Sequence, residues 1–249
     1  MEFTTIGVAT QGPVATVTLR RPEALNAITV GMLEELIEAF TAIGADTSVS
    51  VVVLTGEGRA FSAGVDLKAL HGRPLPGGAV GDFLDIPARR LIELIRSMDT
   101  LVIAAIKGFC FTGALEIALA TDLILVAENA VLADTHAKFG IRPTWGMSQR
   151  LPSAVGIARA RLLSYTGRRF SGKEAYEWGL AALACPLDEF DATLEQLTQS
   201  LVANSSGSLA AYKDLYRRYE LEPTAAGLAY EANTRYEIAD TEARVSDFR

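Results

Sequence analysis

Cysteine and histidine are scarce in this chain of 249 residues, with two of each. Two thiols, Cys110 and Cys185, make no disulfide framework, and nothing resembles a paired Cys/His metal cluster. Reduced thiols in a cytoplasmic compartment are therefore expected, with no metal. Long apolar runs are also missing. The most apolar stretch, LVIAAI at 101–106, falls far short of the ~20 residues a membrane helix needs. The opening MEFTT has no basic flank leading into an apolar run, so neither a membrane association nor a leader is expected. Positive charge is in deficit, with 23 Lys+Arg against 30 Asp+Glu and a net charge of −7. A general nucleic-acid binder would need a basic face to displace counterions. An anionic small molecule stays open, because helix termini and local charge decide that case. No polar linker, internal repeat or low-complexity tract is visible. What is abundant is apolar side chain, 49% against 21% charged, which excludes a disordered chain and suffices for one large core.

The pattern along the chain is that of an α/β fold. Runs at 6–10 and 14–19 flank Gly12-Pro13 and predict a hairpin. Thr29 caps a predicted helix with the apolar stripe Met32, Leu33, Leu36, Ile37 and Phe40. Residues 50–55 and 101–106 are continuous β-branched or apolar runs, as expected of strands buried on both faces. A helix is predicted over 83–98, and residues 71–81, rich in glycine and proline, over a loop. After each buried strand comes a glycine turn that opens a helix, one at 59–68 and one at 107–113. This βα alternation implies parallel pairing, with ligands at the carboxyl ends of the strands. From about Ser171, which forms a capping box with Glu174, helices are predicted at 188–203, 209–219 and 225–239. The expected division is an α/β core over 1–185 and a C-terminal helical part over 186–249.

Two glycine turns feeding helix N-termini are a way to build an anion site, since first-turn N–H groups have no internal partner and the dipole adds positive charge. Converging N–H groups of Ala63 and Gly113 would hold an oxygen that gains negative charge in a reaction. Glu116 lies three residues beyond Gly113 on the same predicted helix, so its carboxylate shares that face. Its neighbours Ala114, Leu115, Ile117 and Ala118 are apolar, a setting suited to proton transfer beside a polarised carbonyl.

These residues resemble the crotonase (enoyl-CoA hydratase/isomerase) superfamily. AFSAGVDLK at 60–68 is similar to the segment carrying the family's first oxyanion-hole amide. GFCFTGALEIALATD at 108–122 is similar to its second motif, with the other amide and the first catalytic glutamate. FGIRPTWGMSQRLP at 139–152 resembles the turn that follows the second acid, and PEALNA at 22–27 extends the likeness toward the start. The resemblance implies a spiral of ββα units with a C-terminal trimerisation part, assembled as a homotrimer or dimer of trimers. It implies a coenzyme A thioester as substrate and no separate cofactor. The amides of Ala63 and Gly113 would hold the thioester oxygen. The turn of Ala63, Gly64, Val65 and Asp66, together with Gly113, would bind the acyl-CoA. Glu116 would be an acid/base, and Lys213 would fall near the nucleotide.

One position departs from the pattern. Where hydratases of this family carry a second glutamate, this chain has His136, an imidazole that exchanges a proton near neutral pH. Asp134, two residues back on a predicted strand, would share its face and tune it, or act as the second acid. The implied function is reversible hydration of a trans-2-enoyl-CoA. A Δ3,Δ2-enoyl-CoA isomerase using Glu116 alone, another crotonase-type enzyme, or a non-catalytic acyl-CoA binder are the alternatives. Among other candidates, Cys110 has no base near it in sequence and reads as a small hydrophobe, and Ser62 is not in a G-x-S-x-G elbow. Phe111 and Trp145 line an acyl pocket or are simply core. Lys213, Arg217 and Arg218 contact phosphates or form a solvated face.

Overall fold

The computed structural model describes residues 3–241 and residue 244. Met1 and Glu2 of the stretch read for a leader, and residues 242–243 and 245–249 of the expected helical part, lie outside the described residues.

The hairpin forms as its turn chemistry predicts: β1 (Ile6–Gln11) and β2 (Val14–Leu19) pair antiparallel. Thr29 accepts a hydrogen bond from the Met32 N–H at 3.2 Å and starts α1 (Val30–Ala45), whose buried face carries the predicted stripe. The continuous apolar runs become β3 (Val51–Gly56) and, after β4 (Ala60–Ser62) and α2 (Asp82–Ser97), β5 (Leu101–Ile106). All six residues of β5 are buried. Next come β6 (Phe109–Phe111), α3 (Gly113–Ala118), β7 (Leu123–Ala127) and β8 (Val131–Ala133).

Two sheets result. The larger has the order β1-β2-β3-β5-β7 and then β10 (Leu183–Cys185), parallel beyond the hairpin; the smaller runs β4-β6-β8 and then β9 (Phe170–Ser171). Each strand β3, β5 and β7 hands directly to a partner in the smaller sheet. The chain therefore winds as repeated ββ turns with helices between, a backbone repeat that the side chains do not advertise. The two inner faces bury one continuous apolar core, the main source of stability in such a fold.

Three details differ from expectation. The second half of the 139–152 stretch, expected as a turn, is helical: α4 (Met147–Val155) begins within it and α5 (Ile157–Thr166) follows, neither revealed by periodicity. Pro152 lies within the first, and Gly156 at φ +77 separates them. After the capping box of Ser171 and Glu174 opens α6 (Gly172–Glu177), the remaining helices are α7 (Phe190–Val202), α8 (Ser206–Leu221) and α9 (Thr224–Asn233). The last stops well short of the expected Ala239. Asp134 and His136 are not on a strand: β8 ends at Ala133 and His136 begins a 3-10 turn. No described helix is long and apolar enough to cross a membrane.

Candidate active site

β4 and β6 are adjacent and parallel, pairing Ala60 with Phe109 and Ser62 with Cys110, so the turns leaving their carboxyl ends are neighbours. Gly64 adopts φ +87, and a Cβ there would lie 2.7 Å from the Phe111 carbonyl oxygen and 3.4 Å from the Gly113 nitrogen. Only glycine permits that conformation and that approach.

The donor in the first turn is not the one expected. The Ala63 N–H donates to the Leu25 carbonyl at 2.9 Å, so Ala63 cannot serve as a free oxyanion-hole amide. The Gly64 N–H donates to Ser62 Oγ and the Asp66 N–H to the Ile28 carbonyl. The Val65 N–H, two residues along, has no acceptor among the described residues. Counting along the motif had selected the wrong amide because the commitment of each N–H depends on the distant 25–28 segment. Asn26 fixes that segment: fully buried at φ +54, it accepts from the Arg21 N–H and donates to the carbonyls of Glu57 and Ala60. Sequence reasoning did not single out Asn26, although a polar residue with left-handed tolerance beside a turn is the available signal. Asp66 pairs with Arg21 at 3.1 Å and caps the following 3-10 turn through the Lys68 N–H, which fixes the turn rather than leaving Asp66 free.

The second turn keeps its expected donor. Gly113 is the first residue of α3, and its N–H has no acceptor among the described residues. The preceding Thr112 sits at φ 52, ψ −112 with no side-chain cap, a conformation that costs a non-glycine residue about 1–3 kcal/mol. It is held by its N–H to the Ala133 carbonyl and by a hydroxyl contact with Thr135. A Cβ on Gly113 would meet Trp145 Cζ3 at 2.6 Å, so the indole lies directly against this amide. Trp145 is buried there, whereas the Phe111 ring pairs with Phe109 and carries the Arg169 guanidinium.

Glu116 is 1% exposed. Its Oε1 accepts from the N–H groups of Trp145 at 3.0 Å and Met147 at 2.9 Å. Its Oε2 stands 3.5 Å from His136 Nε2, and His136 Nδ1 meets Asp134 Oδ1 at 2.7 Å. Asp134 Oδ1 also accepts the His136 backbone N–H, a local turn bond that brings the two side chains together without a shared strand face. Burial disfavours the imidazolium, but the hydrogen bonds and charges of Asp134 and Glu116 outweigh it and push His136 up to about 9. Burial also opposes the charge on Asp134, yet bonds from His136 and Ser164 hold its carboxyl below the usual range. The Asp134 carboxylate and the His136 imidazolium favour each other's charge, and Glu116, at the other end, is fixed by backbone amides.

Lys213 does not join this site. It is 7% exposed, and its ammonium donates to the carbonyls of Ile95 and Thr100 and to Asp122 Oδ2, each at 2.8 Å. All three protons are used, so none is left for a nucleotide phosphate. Arg217 pairs with Glu93 and Asp214, and Arg218 pairs with Glu222. Cys110 is buried, and burial pushes its thiol well above the ordinary range, which suits packing and not nucleophilic attack.

Two backbone donors at neighbouring strand ends, a buried glutamate beside them and a histidine facing it are groups of the kind that enolate chemistry uses. The sequence matches the family described as Enoyl-CoA hydratase/isomerase over residues 9–246. A carnitinyl-CoA dehydratase of Salmonella typhi is 37% identical over 220 residues, covering 88% of this chain and 82% of that one. An enoyl-CoA hydratase structure from Bacillus anthracis superimposes with a TM-score of 0.86 at 31% identity, over 92% of this chain and 88% of that one. A Thermobifida fusca YX structure in complex with acetoacetyl-CoA gives 0.82 at 27%, over 98% and 96%. The chain belongs to the enoyl-CoA hydratase/isomerase family and is an enzyme of the crotonase superfamily.

Proposed function

We propose that this enzyme adds water reversibly to a 2-enoyl-CoA thioester. The observation that carries the reading is the chain Asp134–His136–Glu116 beside the unpaired N–H groups of Val65 and Gly113. Relatives named for hydration or dehydration of CoA thioesters, and a neighbour holding acetoacetyl-CoA, support an acyl-CoA substrate.

The thioester oxygen sits on the Val65 and Gly113 amides, which stabilise the charge that develops as the double bond is attacked. One such donor is worth about 3–4 kcal/mol of barrier. Glu116 Oε2, the oxygen not clamped by backbone, takes a proton from water as its oxygen bonds to Cβ. The enolate then collapses, and Cα takes a proton from the His136 imidazolium. Glu116 is left protonated and His136 neutral, so transfer of one proton between the two restores the starting state and the net addition is one water. Asp134 holds the imidazole by Nδ1 and keeps Nε2 as the donor.

Loss of the enone absorbance of crotonyl-CoA tests the reading. Turnover of crotonyl-CoA to the 3-hydroxy product supports it; consumption of 3-enoyl-CoA alone overturns it in favour of an isomerase. We also read the helical part as the face on which a homotrimer or dimer of trimers assembles, which light scattering tests.

A further inference from the structure

Glu116 exchanges its proton through Oε2, but the aim of that oxygen is set from the other side of the carboxylate. Oε1 accepts from the N–H groups of Trp145 and Met147. Two donors on one oxygen stop the group from turning about its last bond, because hydrogen bonds weaken steeply off axis. Whatever holds those two N–H groups therefore aims the exchanging oxygen. They belong to separate peptide groups, with the Trp145–Gly146 peptide between them.

Each of the three peptides is held differently. The side chains flanking the first donate to Asp85 Oδ1, Thr144 Oγ1 at 2.6 Å and Trp145 Nε1 at 2.8 Å. In the third, the Gly146 carbonyl accepts from the N–H groups of Gln149 and Arg150, the opening bonds of α4. The middle peptide relies on a side chain: the Trp145 carbonyl accepts from Arg150 Nη1 at 2.9 Å. Gly146 beside it sits at φ +120, ψ 4, with the backbone freedom of a residue that lacks Cβ. A Cβ there would collide with Arg150 Nη1, so the guanidinium packs directly on the turn. Arg150 is half-buried and pairs with no carboxylate among the described residues. Burial and the Arg96 charge pull it below its ordinary value, while the charges of Glu220, Glu116 and Glu93 act in the opposite sense. Arginine keeps its charge regardless.

We propose that Arg150 is a positioning residue: by holding the Trp145 carbonyl it orients the two N–H groups that aim Glu116 Oε2, without itself touching the substrate. The inference rests on the reading of Glu116 as the group that exchanges a proton, but not on hydration. Turnover of crotonyl-CoA or of a 3-enoyl-CoA, whichever the wild type converts, therefore serves to test it. Steady-state constants and urea midpoints are measured for the full-length wild type, R150M, R150K, E116Q and the double variant R150M/E116Q.

R150M should lower kcat about 10–10²-fold, the scale of a small misplacement of a reacting group, and leave KM unchanged. R150K, which keeps the charge and a donor for the carbonyl, should recover most of kcat. In the E116Q background R150M should cost nothing further, because the group it aims no longer takes a proton. R150Q, whose amide ends two bonds short of Nη1, should behave as R150M and replaces it should that variant not fold. Wild-type kcat in R150M, whatever its KM, overturns the proposal. So does an R150M effect of equal size with and without Glu116, which would mean that Arg150 supports the fold at large. If the wild type converts neither thioester, or E116Q loses no activity, the reading of Glu116 fails and takes this inference with it.

Discussion

Two buried ion networks lie in this protein, and they differ in how completely they are saturated. Around Lys213, three protons meet three oxygens at 2.8 Å, and Asp122 Oδ2 also accepts the Val102 N–H. Burial pulls the Lys213 ammonium below its ordinary value, with Asp122 acting in the opposite sense, and it raises the Asp122 carboxyl. This network ties α8 to the carboxyl end of α2 and to the start of β5. Around Glu116, one oxygen is held by two backbone N–H groups and the other faces His136 across 3.5 Å. Saturation marks a structural charge; a group held at one end and open at the other can exchange a proton. Burial alone does not separate the two cases, since Lys213 and Glu116 are both nearly closed to solvent.

Substitutions break the comparison most directly. Glu116→Gln keeps an amide oxygen for the Trp145 and Met147 N–H groups but removes the proton acceptor. It should lower kcat by about 10²–10⁴-fold while leaving the urea unfolding midpoint nearly unchanged. A comparable loss of stability would mean that Glu116 is structural, like Asp122. Lys213→Met should do the reverse. It leaves Asp122 and two carbonyls without their donor and costs about 3–5 kcal/mol of unfolding free energy, with KM for an acyl-CoA unaltered in the folded fraction. A raised KM at unchanged stability would return Lys213 to the substrate site.

Gly64→Ala puts a Cβ 2.7 Å from the Phe111 oxygen at φ +87. The two turns must part, and kcat/KM should fall about 10²–10³-fold, as for loss of one oxyanion donor. Full activity in this variant would remove Val65 from the site. The gentlest test uses pH. With a folded value of about 9 above an unfolded one near ~6.5, His136 contributes stability that is complete below pH ~6.5 and is lost as pH rises through about 9. Urea midpoints across that window should therefore decline. Activity should also fall on the alkaline side, and Asp134→Asn should move that limb downward by removing the nearest charge. A midpoint that is flat with pH would mean His136 is neutral in the native state.

Much of the fold was legible because it rests on local rules. The Gly12-Pro13 turn, the Thr29 cap, the Ser171–Glu174 box and the buried runs of β3 and β5 all depend on near neighbours. The two sheets and helices α4 and α5 were not legible, since no residue repeat accompanies the ββ winding and Pro152 and Gly156 read as turn signals. Within the site, Gly113, Glu116 and His136 stood out by motif and spacing. Ala63 was the wrong amide, because the acceptor that occupies it, Leu25, lies 38 residues away in sequence. Lys213 was misplaced for a similar reason, its three partners belonging to other elements.

Residue order alone determined the α/β class, the two glycine turns at strand ends and the glutamate one helical turn past the second, because short-range geometry fixes spacing and face. Only the folded chain decided which hydrogens and which charges are left over. That remainder is set by long-range partners, and a group becomes available for chemistry when the rest of the molecule has not already satisfied it.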